Sequence, residues 1–413
     1  MFFHTTAGST RVLALALSLL FIFQPFGSAQ TNPKANNNPQ ANNNPKSSTN
    51  SQTNNPQGIV VLPPPPIVEA GSAVLMEAAS GQVLFSKNPH EQKPQASTTK
   101  ITTAIVALEK GKLTDIVKIS KQAAETLEAA IWLAEGEELT LEQLMYALLL
   151  FSANDAASAI AEHIEGSEEQ FVAMMNAKAQ EIGAKDSHYV NPHGLDRPEH
   201  YSSAYDLAIL ARYGLTKVPG FAQLVRTREK SIPWDGHPYL RVLRNRNKLL
   251  KSYPGADGVK TGFTNKAGRC LVASATRGNM QLIAVVMDSP NMFRETAAML
   301  DWGFANYTKQ ELVIRDRTIR PVRVINGLSG WVNAKASREV ILALTPEAAA
   351  KLKMETILAE SLEAPVVKDQ KLGVILISPP GQPQITVALL SASSIARKSR
   401  WQLFWEYLKN WFS

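Results

Sequence analysis

Three strand-like segments, Gly258 to Phe263, Arg269 to Ala275 and Met280 to Met287, close a stretch of chain whose interior reads as helices. Arg277-Gly278-Asn279 supplies the turn between the last two. At the front of the same stretch, Ala73 to Met76 and Gln82 to Phe85 flank Glu77-Ala78-Ala79-Ser80-Gly81 and read as a hairpin. Between these ends lie helical patterns at Ser97 to Lys110, Leu139 to Leu150, Asp155 to Glu165, Glu168 to Ile182 and about Ala204 to Tyr213. A closing helix follows at about Phe293 to Trp302. Strands from both ends with helices between them bury their apolar faces by meeting in one sheet and packing the helices on it. The expectation is a mixed α/β (α+β) domain over residues 67–306.

From Tyr307 the texture changes. Leu312 to Ile314, Val322 to Val324, Trp331 to Asn333, Val340 to Leu344, Leu372 to Ile377 and Ile385 to Leu390 are short β-like runs with polar or Gly/Pro breaks. They predict a small β-rich domain over residues 307–392. The chain has 413 residues, 45% hydrophobic and 19% charged, so a packed core is expected.

The ends say where such a protein works. Arg11 precedes an apolar run from Val12 to Phe23, and Gly27, Ser28 and Ala29 follow, which reads as a secretory signal over residues 1–29. Residues 30–66 begin with Asn, Pro, Gln, Ser and Thr, too polar to offset the entropy of ordering, and end in the stiff run Pro63 to Pro66. Residues 393–413 place Trp401, Phe404, Trp405, Leu408, Trp411 and Phe412 on one helical face behind Arg397, Lys398 and Arg400. That pattern predicts a helix lying in an anionic membrane surface. The net charge is +7 without a long basic run, which suits a membrane or wall rather than nucleic acid. Cys270 is the only cysteine; it sits in an apolar strand and reads as an inert core residue. His90-Glu91 lacks the second histidine of a zinc helix and no Gly-rich phosphate loop is present, so neither metal nor cofactor is expected.

Three short motifs suggest chemistry. Ser97-Thr98-Thr99-Lys100 puts serine and lysine three apart at a helix start, where they can touch and where the helix favours negative charge at the serine. A lysine buried near a second cation, Lys260, loses its proton more readily and can act as base. Ser152-Ala153-Asn154 follows an apolar helix, so its polar groups must be bonded or line a cleft; Ser152 can relay protons and Asn154 can hold a substrate amide. Lys260-Thr261-Gly262 lies on a strand whose edge a peptide could pair with, its carboxylate meeting Thr261 and Lys260. Each motif alone also fits a helix cap or an ordinary strand end. His193, in a Pro/Gly loop, reads as structural.

Taken together, the set Ser97-x-x-Lys100, Ser152-x-Asn154 and Lys260-Thr261-Gly262 resembles the low-molecular-mass penicillin-binding proteins, the serine D-alanyl-D-alanine carboxypeptidases. Asn191-Pro192-His193-Gly194-Leu195-Asp196, Asn245 to Leu250 and Asp257 to Thr264 are similar too, and the resemblance runs from about Val68 to Asn306. It implies a β-lactamase/penicillin-binding-protein-like transpeptidase fold. It further implies removal of the terminal D-alanine from peptidoglycan stem peptides through an acyl-enzyme on Ser97, with β-lactams acylating the same serine. Lys100 would be the base, with Ser152, Asn154 and Lys260 completing the catalytic set. Thr261, Gly262, Phe263, Arg246 and Arg294 would bind substrate, and the N–H groups of Ser97 and Phe263 would form the oxyanion hole. Such an enzyme would sit on the outer face of a bacterial cytoplasmic membrane. Ala153 and Phe263 depart from residues common in the family, which bears on substrate preference. A class A-like β-lactamase and a catalytically silent wall-binding protein share the motifs and stand as alternatives.

Overall fold

The computed structural model describes residues 64–412, apart from the side chain of Asn410. The signal and most of the polar linker read from the sequence lie outside the described residues. Strands from the two ends of the first domain do meet in one antiparallel sheet. Its order is Val83–Lys87, Ser72–Glu77, Met280–Met287, Gly268–Arg277, Ala256–Thr264. The register pairs Ser72 with Met287 and Thr261 with Leu271. Alternation along the strands serves two cores. Val272, Ile283, Val285 and Met287 join Val74 and Met76 under the large helical layer. The intervening Leu271, Leu282, Ala284 and Val286 pack beneath Met299 and Leu300 of the Met292–Asn306 helix.

The helix Lys100–Lys110 runs through the middle of the helical layer, with Lys100 to Ala107 all buried. Trimming a wholly buried residue there, such as Ile105, to alanine costs about 2–5 kcal/mol. That packing makes its N-terminal end a rigid mount.

Two expected helices begin differently. The helix expected from Ser97 starts as a 3₁₀ turn, Ala96–Thr99, and becomes α-helical at Lys100. The Thr98 and Thr99 hydroxyls donate back to the carbonyls of Gln95 and Ala96, at 2.6 and 2.8 Å, and favour the tighter turn. Within the expected Leu139 to Leu150 helix, Glu138–Thr140 instead pairs as a strand with Ile116–Lys118. Thr140 then caps the helix Leu141–Tyr146 in a capping box with Gln143, and the chain widens into a π turn, Ala147–Phe151.

Residues 308–391 form a second core around Val322, Val332, Ile375, Ile377, Val387 and Leu389. Its six-stranded sheet is ordered Lys353–Leu358, Lys371–Ser378, Ile385–Ser391, Trp331–Ala336, Thr318–Ile325, Ser361–Glu363, beside a pair Thr308–Val313 with Val340–Leu344. Gln82 links it to the first sheet by accepting from the Ala343 N–H at 3.0 Å. The helix Arg400–Trp411 is capped by Ser399 with Gln402, and backbone bonds tie residues just before it to this domain, Leu328 to Ala396 and Lys398 to Asn326. Among the described residues no helix is long and apolar enough to cross a membrane.

Candidate active site

Ser97 stands on the 3₁₀ turn, and two glycines let other backbone close around it. A side chain on Gly262 would lie 3.1 Å from Ala96 Cβ, from Gln95 O and from Ser97 N, so the Ala256–Thr264 strand can press this near only without one. Gly194 adopts φ 92°, and a Cβ there would meet Ala96 O at 2.0 Å. The loop Asn191 to Asp196 is thereby seated against the nucleophile turn, braced by Asn191, which accepts from Gly194 N and donates to Leu195 O.

Lys100 is wholly buried, and its Nζ makes three contacts. It bonds Asn154 Oδ1 at 2.8 Å and the His193 carbonyl at 2.5 Å, and lies 3.1 Å from Ser97 Oγ. The first two partners can only accept. A neutral amine has two N–H bonds, so both are committed to carbonyls and the lone pair is left for the Ser97 hydroxyl. Burial, then the Lys260 and Arg246 cations, hold the Lys100 pKa well below the ordinary lysine value.

Ser152 leaves the π turn in a left-handed conformation, φ 73°, which re-aims its hydroxyl. Lys260, also buried, donates to Ser152 Oγ and to the Thr261 carbonyl, each at 2.9 Å. Burial and Arg246 lower its pKa to about 7. Neither lysine has an ion-pair partner among the described residues.

A cleft of about 660 Å³ opens beside these groups, lined by Ser97, Ser152, Thr261, Gly262, Phe263, Arg246 and Arg294, with Ala129, Lys248 and Arg269 among the others. Among the described residues no carboxylate lines it and four cations do. Along one wall runs the strand Ala256–Thr264, which is the edge of its sheet. Arg246 lies 4.6 Å over the Phe151 ring, and its flanking asparagines fix the backbone: Asn245 Nδ2 donates to Val225 O and Thr227 O, Asn247 Nδ2 to Gly258 O.

Every site residue read from the sequence therefore lines this cleft or sits directly behind it, though not always as expected. Asn154, read as a hold for a substrate amide, spends its carbonyl on Lys100 and its NH₂ on Leu127 O. His193 contributes through its backbone: its carbonyl receives Lys100, while burial holds its ring neutral with a pKa of about 3. Sequence reading missed Asp155, whose buried carboxylate accepts from the N–H groups of Ile131, Leu133 and Ala156 and pins the loop carrying Ala129. An acid directly after Asn154, at the first turn of a helix that then runs through the small and apolar residues Ala156 to Ala161, was the available signal.

Comparison with known proteins agrees with this geometry. The D-alanyl-D-alanine carboxypeptidase family matches residues 60–291. The chain belongs to that family. The penicillin-binding protein 5 C-terminal domain matches residues 307–397, the β-rich part. The carboxypeptidase DacF of Bacillus subtilis is 39% identical over 80% of this chain and 85% of its own length, and DacD of Escherichia coli is 35% identical over 77% and 85%. The crystal structure of penicillin-binding protein 5 from Haemophilus influenzae superposes with a TM-score of 0.72 at 31% identity, covering 81% of this chain and 99% of that one. The fold is thus that of the penicillin-binding proteins, the chain is a serine-type peptidase of this family, and members of the family act on peptidoglycan outside the cytoplasm.

Proposed function

We propose that this enzyme removes the terminal D-alanine from peptidoglycan pentapeptide stems through an ester on Ser97. The stem lies antiparallel along the free edge of the Ala256–Thr264 strand, with its terminal carboxylate toward Thr261, Arg246 and Arg294. Ser97 Oγ attacks the carbonyl carbon of the penultimate residue while its proton passes to Lys100 Nζ. The oxyanion receives the N–H groups of Ser97 and Phe263. The C–N bond then breaks, and the leaving amine takes a proton from Ser152, which Lys260 replenishes. The proton that Lys100 took passes back to Lys260, which leaves Lys100 neutral; water then attacks the ester with Lys100 as base, and that proton goes to the departing Ser97 oxygen.

The observation that carries this reading is the placing of Lys100 Nζ, 2.8 and 2.5 Å from two carbonyl acceptors and 3.1 Å from Ser97 Oγ, which leaves the lone pair of a neutral amine for the serine hydroxyl. β-Lactams, which mimic the same peptide terminus, acylate the same serine. That no carboxylate lines the cleft among the described residues supports a carboxypeptidase over a class A-like β-lactamase, which needs a deacylating glutamate. We place the enzyme on the outer face of the cytoplasmic membrane, exported by residues 1–29 and held at an anionic surface by the helix Arg400–Trp411. The exposure of Trp401, Phe404, Trp405, Trp411 and Phe412 supports that attachment.

The test is labelled penicillin followed by D-alanine release. Intact-mass measurement is expected to give one adduct, on the Ser97 peptide, and a synthetic pentapeptide is expected to yield D-alanine. An adduct that persists in Ser97→Ala refutes the nucleophile; rapid β-lactam turnover without D-alanine release favours the β-lactamase.

A further inference from the structure

The chain that brings Ala129 to the cleft rim continues three residues to Trp132, whose side chain stands out into solvent with the residue 67% exposed. Its backbone is far from loose. The N–H groups on either side, of Ile131 and Leu133, donate to buried Asp155 at 3.0 and 3.1 Å. Its own carbonyl accepts from Arg241 Nη2 at 2.9 Å, and Arg241 is paired with Glu137, both buried. Trp132 itself adopts φ 55°, a conformation bulky residues rarely take. A tryptophan that serves packing is buried, and one in an idle loop is not tethered on three sides by buried charge. Here the tethering turns an indole outward.

A second aromatic group flanks it. The Trp234 ring lies 5.1 Å from the Arg241 guanidinium that holds Trp132. Trp234, His237 and Tyr239 pack on one another with ring centroids 4.4 to 5.6 Å apart, at the tip of the hairpin Glu229–Ile232 with Arg241–Arg244. Tyr239 and Leu240 are exposed. The return strand of that hairpin leads within two residues to Arg246 in the cleft. Both arms of the aromatic surface therefore run into the cleft that holds Ser97.

We propose that Trp132, Trp234 and Tyr239 form a platform for the pyranose rings of the glycan strand to which the stem peptide is attached. The proposal rests on the carboxypeptidase reading and extends its substrate beyond the peptide. The C–H face of a pyranose packs on an aromatic ring, while its hydroxyl and acetamide groups stay wet or meet polar tips such as the Tyr239 hydroxyl and the His237 ring. The reach is consistent. Four stem residues precede the scissile bond and span at most about 14 Å when extended, and Trp132 lies at most about 11 Å beyond Ala129. An exposed aromatic cluster whose two arms lead into a peptide cleft fits a polymer carrying sugar and peptide on one backbone.

The experiment compares D-alanine release from free pentapeptide and from disaccharide-linked pentapeptide, using the full mature chain, Trp132→Ala, Trp132→Phe and Tyr239→Ala. The ratio of kcat/KM, linked over free, is expected to fall about fivefold in Trp132→Ala and in Tyr239→Ala. Trp132→Phe is expected to recover most of it. Ratios equal to wild type in both alanine variants overturn the platform. A titration with peptide-free glycan oligomers, read by tryptophan fluorescence, is independent of catalysis; it should saturate in wild type and vanish in Trp132→Ala. No response in wild type overturns the platform even where activity is intact. Failure of D-alanine release from both substrates would instead overturn the carboxypeptidase reading and leave the titration to decide the platform.

Discussion

Lys260 Nζ lies 2.9 Å from Ser152 Oγ, both groups are buried, and among the described residues no carboxylate pairs with the ammonium. After burial itself, this cation is the largest cause of the depressed Lys100 pKa. The two lysines therefore titrate as a linked pair rather than as independent groups.

Removing the charge should move the acylation profile. The rate of acylation rises with pH as Lys100 loses its proton. Lys260→Gln removes a repulsion that favours that loss, so the rising limb of kcat/KM should shift to higher pH, while Lys260→Arg should leave it nearer to wild type. Acylation by a chromogenic β-lactam across a pH series reads the limb directly. An unshifted or acid-shifted limb in Lys260→Gln refutes the coupling.

The same burial should cost stability. Lys260 falls from 10.5 to about 7 on folding, so between these values the unfolded chain binds more protons and stability rises with pH. The cost is fully present below about 7 and is relieved as pH climbs toward 10.5. Lys260→Met, though inactive, should melt at a higher temperature than wild type at pH 6, with the gap narrowing by about pH 10. Thermal unfolding at both pH values checks it; a gap that widens with pH contradicts the sign.

Much of this architecture is legible in the sequence, and the illegible parts share a cause. The strand Met280–Met287 and the helix Glu168–Ile182 match their expected bounds because a short apolar run behind a Gly-containing turn and a Gly stop are local signals. The strand Lys353–Leu358 was missed because it is an exposed edge with no apolar face to give a period. The hairpin carrying Trp234 was missed for a similar reason, since Arg244 and Glu229 lie exposed on it. At the site, the motif residues could be named, but not the His193 carbonyl that fixes the Lys100 lone pair. A backbone acceptor 93 positions away leaves no mark on composition or spacing.

Gly262 offers a separate test of positioning. In Gly262→Ala the new methyl would sit 3.1 Å from Ser97 N and from Gln95 O, so the nucleophile turn must yield by a few tenths of an ångström. Acylation should slow about tenfold or more, because reacting groups tolerate little displacement. The melting temperature should stay within a few degrees of wild type. A fully active variant would show that the strand and the turn are less tightly coupled than their spacing indicates.

The terminal helix can be tested by flotation. Full-length mature protein is expected to float with anionic liposomes, and a chain ending at Ala396 is expected to remain below. Activity on a soluble peptide should be similar in the two. Equal flotation removes the helix Arg400–Trp411 from any role in attachment.

The free edge of the Ala256–Thr264 strand carries a hazard as well as a use. An unpaired strand edge is a template for any extended chain, including another copy of this protein or its own nascent form. Arg246, Lys248, Arg269 and Arg294 crowd the cleft beside it. A second copy offering the same edge would bring the same four cations against these, and the repulsion disfavours that pairing, whereas a partner that ends in a carboxylate is drawn in. One cluster of charge thus screens the edge against self-assembly while leaving it open to a carboxyl-terminated peptide.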